Sequence, residues 1–174
     1  MLFDLFIGRF QPYHLGHLAA TKWILEREER LIVGIGSAQY SHTFENPFTA
    51  GERVEMILAA LEEEGLIGRC VIIPIPDIGQ HALWVQLVKQ YCPPFSRVYT
   101  NSPLTRRLFM ENGIEVREIP LFMRDKYDAT YIRKLMIEGG DWESYVPRPV
   151  AEVIKRVKGV ERLREIVTKC DKYQ

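Results

Sequence analysis

Ten residues near the start of the chain, Gly8-Arg9-Phe10-Gln11-Pro12-Tyr13-His14-Leu15-Gly16-His17, gather two imidazoles, a guanidinium and two glycines. They follow an apolar run and open a segment of helical spacing, where unpaired amides and the positive end of a helix dipole make a natural anion site. Helical residues three apart share a face, so His14 and His17 can direct both rings at one point. Gly16 between them leaves room for a ligand to approach the backbone. Arg9 adds a permanent cation whose fork suits phosphate. A metal pair is the competing reading, but helical ligands more often sit four apart, as in HExxH, and no third ligand is near. A lone histidine is usually a packed or capping residue. Two that bracket a glycine, after a strand and downstream of an arginine, are harder to account for by packing. The set holds donors and no base, as a polyphosphate site would.

A second cationic stretch runs Arg124-Asp125-Lys126-Tyr127-Asp128-Ala129-Thr130-Tyr131-Ile132-Arg133-Lys134. Asp128 or Thr130 can cap a new helix whose free amides form another anion-binding terminus, with Arg133 one turn in and able to return toward it. Lys134 reads as an exposed residue of an amphipathic helix. Gly34-Ile35-Gly36 is a GxG after a strand, but Gln39 stands where the third glycine of a dinucleotide fingerprint would fall, and no GxxxxGK[ST] exists. A preformed dinucleotide is not what these residues advertise.

The elements that must position these groups follow from periodicity. Strand-length apolar runs at Leu2–Ile7, Leu31–Ile35, Val71–Ile75, Arg97–Thr100 and Glu115–Ile119 alternate with helix-period segments at Leu15–Glu28, Ala50–Glu64, Gln80–Tyr91 and Pro103–Glu111. The strands lack polar alternation, as expected when both faces of a sheet are covered. The rhythm predicts an α/β fold, a doubly wound parallel five-stranded sheet with ligands at the carboxyl ends of its strands. From about Asp128 the chain is helical, with segments Thr130–Ile137, a Pro147 start and Val160–Cys170, separated by Gly139-Gly140 and Lys158-Gly159. The expected division is a core over 1–127 and a small helical part over 128–174 packed on the same domain.

The 174 residues suffice for one such domain, which buries roughly 70% of its unfolded surface without staples. Lys plus Arg and Asp plus Glu are equal at 23 each, so no basic field favours nucleic acid or an anionic membrane. Anions must be held locally, in a pocket. Three cysteines without a CxxC pair argue against a disulfide framework or structural zinc. With no signal segment and no apolar run long enough to span a bilayer, a cytoplasmic protein is expected.

The His14-Leu15-Gly16-His17 signature resembles that of the HxGH nucleotidyltransferase superfamily. The longer string GRFQPYHLGH is similar to the archaeal-type nicotinamide-mononucleotide adenylyltransferases. So are Ser37-Ala38-Gln39, Glu45-Asn46-Pro47-Phe48-Thr49-Ala50-Gly51-Glu52-Arg53, Pro76-Asp77-Ile78, Trp84-Val85, Pro93-Pro94-Phe95, Asp141-Trp142 and Val146-Pro147. The resemblance covers nearly the whole chain and implies a Rossmann-like transferase that joins nicotinamide mononucleotide (NMN) to the AMP part of ATP, releasing pyrophosphate and forming NAD.

By that resemblance His14, His17, Arg9 and Arg133 are the catalytic residues. Gly8, Arg9, Phe10, His14, Gly16, His17, Thr130, Ile132 and Arg133 bind ATP. Ser37, Asp77, Ile78, Trp84, Phe122 and Arg124 bind NMN, whose cationic ring suits an aromatic face and a carboxylate. By itself Trp84 reads equally well as a core residue beside Leu83, Leu87 and Val88. Two departures from the family pattern stand out. Asp128-Ala129 replaces Ser-Gly, and Asn101-Ser102 replaces Gly-Asn. The implied cofactor is Mg²⁺ arriving with ATP, with no resident metal, and the implied assembly is a homo-oligomer, a hexamer. The alternatives are adenylyl transfer to another phosphate-bearing precursor (FMN or phosphopantetheine), or a nicotinamide-nucleotide sensor without turnover.

Overall fold

Strands and helices alternate through the computed structural model, which describes residues 2–120, 122 and 127–170. Strand β1 (Phe3–Gly8) is followed by α1 (Leu15–Leu25), β2 (Leu31–Ile35), α2 (Ala50–Glu63), β3 (Cys70–Pro74), α3 (His81–Tyr91), β4 (Phe95–Tyr99), α4 (Pro103–Glu111) and β5 (Glu115–Arg117). Helices α5 (Ala129–Glu138), α6 (Arg148–Arg156) and α7 (Gly159–Cys170) complete the order. Every strand pairing is parallel, and the strands lie in the order β3-β2-β1-β4-β5. The doubly wound α/β sheet is therefore the fold. None of the described helices is long and apolar enough to cross a membrane.

Alternation along the strands sorts side chains to two faces. Phe6, Leu31, Val33, Ile35 and Tyr99 pack with α1, α2 and the C-terminal helices, whose Ile132, Met136, Val150, Ile154 and Leu163 are buried in the same cluster. Leu5, Ile7, Ile32 and Val98 pack on the other face against Val85, Val88 and Phe109 of α3 and α4. This two-sided burial is why β2 carries no polar residue.

Element ends shift by one to three residues from the sequence expectation, and at two of them a distant side chain takes the backbone. The first helix stops at Leu25 and not at Glu28, where Arg69 donates to the carbonyls of Leu25, Glu28 and Glu29. Strand β5 stops at Arg117 and not at Ile119, because the Asn101 side chain bonds both the amide and the carbonyl of Ile119. Chain order sends β2 to one side of β1 and β4 to the other. The loops after β1 and β4 consequently diverge at the switch point and leave a crevice between them.

Candidate active site

His14 caps α1. Its Nδ1 accepts the amide of His17 at 3.3 Å, and the amide of His14 donates to Nδ1 of His17 at 3.2 Å. This reciprocal box stacks the two rings with centroids 3.6 Å apart and planes 19° apart. A ring nitrogen that accepts an N–H carries no proton, so each neutral imidazole keeps its proton on Nε2. Burial, opposed only in part by the charge of Asp128, pushes His14 down to about 4. Burial and the neighbouring His14 hold His17 well below its ordinary value. Near neutral pH the pair is two uncharged donors side by side.

The packing behind the rings shows what Phe10 and Gly16 do. Phe10, expected at ATP, is only 1% exposed, and its ring stands edge-on to His17 at 4.8 Å. It positions the imidazole from within the core. Gly16 lines the cavity, but a Cβ there would lie 2.9 Å from Tyr127 Cβ and 3.1 Å from the His14 ring, so the missing side chain makes room for protein neighbours. Tyr13 stacks on His17 and bonds Thr21, whose hydroxyl donates to the His17 carbonyl at 2.9 Å.

Two cavities meet above the strand ends. One, of about 490 Å³, is lined by Gly8, Arg9, His14, Gly16, His17, Thr100, Asn101, Ser102, Phe122 and Tyr127, among others. The other, of about 570 Å³, is lined by Gly8, Arg9, Ser37, Asp77, Ile78, His81, Trp84 and Ser102, among others. Ile7, Gly8, Arg9 and Ser102 belong to both, so the end of β1 and the start of α4 form a common wall. Phe122, expected with the mononucleotide residues, stands instead in the histidine cavity. Ser37 and Asp77 do share the other cavity, but the Ser37 hydroxyl donates to Asp77 Oδ2 at 2.7 Å and serves first to orient that carboxylate. Gln39 bonds the amide and carbonyl of Asp77 and fixes its loop. Trp84 fits both readings of its sequence. Its ring packs edge-on to Phe109 and lines the cavity, and its indole N–H is buried with no partner among the described residues.

The second cationic stretch is placed differently from expectation. Arg133 is 3% exposed and lies behind the first loop, donating to the Gln11 carbonyl at 2.8 Å and to Thr130 Oγ1 at 3.3 Å. It lines neither cavity, and its buried Nε has no partner among the described residues. Ile132 is a core side chain whose amide is taken by the Asp128 carbonyl. Thr130 is exposed. Asp128 turns an oxygen to the Tyr131 amide at 2.8 Å, so it serves as a helix cap. Arg124 lies outside the described residues. Burial and then the charge of Arg9 both depress Arg133, and the same two causes push Arg53 down to about 10. Arg9 is thus close enough to both Arg133 and Arg53 for each to feel its charge.

Two of the residues that organise this region had escaped sequence reasoning. Gln11 clamps Phe48 through the amide and carbonyl of that residue, at 2.9 and 3.0 Å. Arg53 is fully buried. A signal for Arg53 was present, because it falls on the stripe of Met56, Ile57, Ala60 and Leu61, where a helix turns its apolar face inward. Among the described residues no cluster of three or more His, Cys, Asp or Glu side chains could hold a metal ion.

The chain is similar to proteins already known. A model of the cytidylyltransferase-like family matches residues 5–172. A protein of Methanothrix thermoacetophila named nicotinamide-nucleotide adenylyltransferase is 55% identical over 165 residues, 94% of this chain and 95% of that one. One of the same name from Archaeoglobus fulgidus is 52% identical over 92% of this chain and 95% of its own. In fold, the chain resembles a bifunctional NMN adenylyltransferase/ADP-ribose pyrophosphatase of Francisella tularensis solved with AMP and manganese. The TM-score is 0.80 at 23% identity, covering 99% of this chain and 54% of that longer one.

Proposed function

Since the chain belongs to the cytidylyltransferase-like family, we propose that it transfers the AMP part of ATP to nicotinamide mononucleotide, forming NAD and pyrophosphate. The observation that carries this reading is the pair of cavities sharing Gly8 and Arg9, one holding two neutral imidazole donors and the other a carboxylate and an indole. The sequence relatives bear the name of this activity over almost the full chain.

The histidine cavity takes ATP and the Asp77–Trp84 cavity takes the mononucleotide, so the α-phosphorus and the attacking phosphate meet at the common wall. The nucleophile is the 5′-phosphate, whose second pKa of about 6 leaves it largely dianionic at neutral pH. It needs no base, and the Nδ1 atoms, both occupied by amides, offer none. One phosphate oxygen forms a bond to the α-phosphorus as the bond to the bridging oxygen of pyrophosphate breaks, and that electron pair leaves with pyrophosphate. Catalysis is then in-line placement and charge stabilisation. The two Nε2–H groups and Arg9 donate to the α- and β-phosphate oxygens. Asp77 and Trp84 face the pyridinium, whose cation is drawn to both. Mg²⁺ arriving with ATP would neutralise phosphate charge beside these donors.

The test is pyrophosphate release by the purified chain with ATP and, in parallel, NMN, the acid mononucleotide, FMN or phosphopantetheine. Rapid release with NMN is expected, and His17→Ala should lower kcat by about 10²–10³ with an unchanged circular-dichroism spectrum. Release only with another acceptor, or NMN binding without turnover, would replace the proposal by one of its rivals.

A further inference from the structure

Arg53 of α2 ties two loops together from inside the core. It is fully buried, and among the described residues no carboxylate pairs with it. Its partners are five backbone carbonyls. Nε donates to Thr49 at 3.3 Å, one terminal nitrogen to Arg9 and Gly36 at 2.9 Å each, and the other to Ser37 at 3.2 Å and Ala38 at 3.4 Å. Arg9 belongs to the loop after β1 and the other three cavity-side residues to the loop after β2. One planar fork therefore holds both loops.

Those loops carry strain. Phe10, next to the gripped carbonyl of Arg9, has φ 51°, and Ser37 also has φ 51°. A left-handed non-glycine residue is costly and persists only where its surroundings over-determine it. A buried cation is also costly, and among the described residues no carboxylate offsets it; its fork instead satisfies loop carbonyls that an apolar side chain would leave without a donor.

We infer that Arg53 is a positioning residue that fixes the separation of the two substrate cavities, by locking the loop that carries Gly8 and Arg9 to the loop that carries Gly36 and Ser37. The inference rests on the two-substrate reading above. Arg53 lines neither cavity, so it acts through the loops and not on a substrate. Its loss leaves each cavity able to take its own ligand and moves the two ligands out of line with each other.

The experiment uses Arg53→Lys in the full chain, with calorimetry of ATP alone and NMN alone, steady-state kinetics, and hydrogen exchange. Stoichiometry near one, affinities within about threefold and kcat lower by roughly 10–100-fold are expected, because a misplacement of about 1 Å costs up to about 10² in rate. Exchange at residues 8–11 and 36–38 should rise in both loops together. A kcat within about twofold of the unsubstituted chain overturns the inference. So does a loss of affinity or stoichiometry that accounts for the rate, and so does unchanged exchange in either loop. Arg53→Met, which keeps the stem, replaces Arg53→Lys if the latter does not fold. Failure of both to fold makes Arg53 a folding residue and ends the claim. Absence of dinucleotide formation by the unsubstituted chain would refute the proposed function, while the exchange result would still decide the link between the loops.

Discussion

At His14 and His17 the chemistry is set by which nitrogen is left over. The sequence showed two imidazoles on one helical face and an absence of bases. It could not show that each ring accepts the other's amide, because that depends on the cap conformation of His14. Nor could it separate Phe10, which faces the core, from Arg9, which faces the cavity, since the loop turns through a left-handed Phe10. Both rings are depressed, so protonation favours the unfolded chain. The stability they contribute is complete above about pH 6.5 and declines as pH falls toward 4. Nuclear magnetic resonance of the ring nitrogens should find both histidines neutral, protonated on Nε2, with no titration between about pH 5.5 and 8. A midpoint near the ordinary value for either ring would mean that the stack opens in solution.

Among elements, the strand–helix rhythm was legible because β1, β2 and β3 are largely apolar and helices such as α2 carry a buried stripe. Ends were not, because Arg69 and Asn101 set them from other parts of the chain. Helix α2 shows how such ties matter. Thr49 and Glu52 form its capping box, and Arg162 of α7 holds both oxygens of Glu52 at 2.7 Å and also the Pro47 carbonyl. Burial pushes the Glu52 carboxyl up, but the bonds from Arg162 and the Thr49 amide outweigh it and leave the group below its ordinary value. Its contribution is therefore present above the unfolded value of 4.5 and lost as pH drops through the lower folded one. Arg162→Met removes the cation from a half-sheltered bidentate pair. A loss of about 2 kcal/mol, or roughly 4–8 °C in Tm, should follow at pH 7 and shrink on acidification. A melt unchanged at pH 7 would show that the pair is an ornament of the surface.

For the whole molecule, the pattern change near residue 128 marks a shift from alternation to helices, yet the core runs across it. Leu163 of α7 shares a cluster with Phe6 of β1. A physical route leads from the C-terminal helices to the site. The start of α7 abuts Phe48, Phe48 is clamped by Gln11, and the Gln11 carbonyl is held by Arg133 of α5, three residues before His14. Gly159 is the tight point, because a Cβ there would sit 2.5 Å from the buried ring of Phe48. Two effects compete in Gly159→Ala. Alanine favours a helix by at most about 1 kcal/mol, while overpacking costs about 1–3 kcal/mol. Packing should win, because the ring is enclosed and already fixed by the Gln11 clamp on its backbone. The variant should melt several degrees lower in a single transition, with kcat reduced through the displaced first loop. A higher Tm with unaltered turnover would show that the Phe48 ring yields freely, and that the C-terminal helices do not reach the histidines through it.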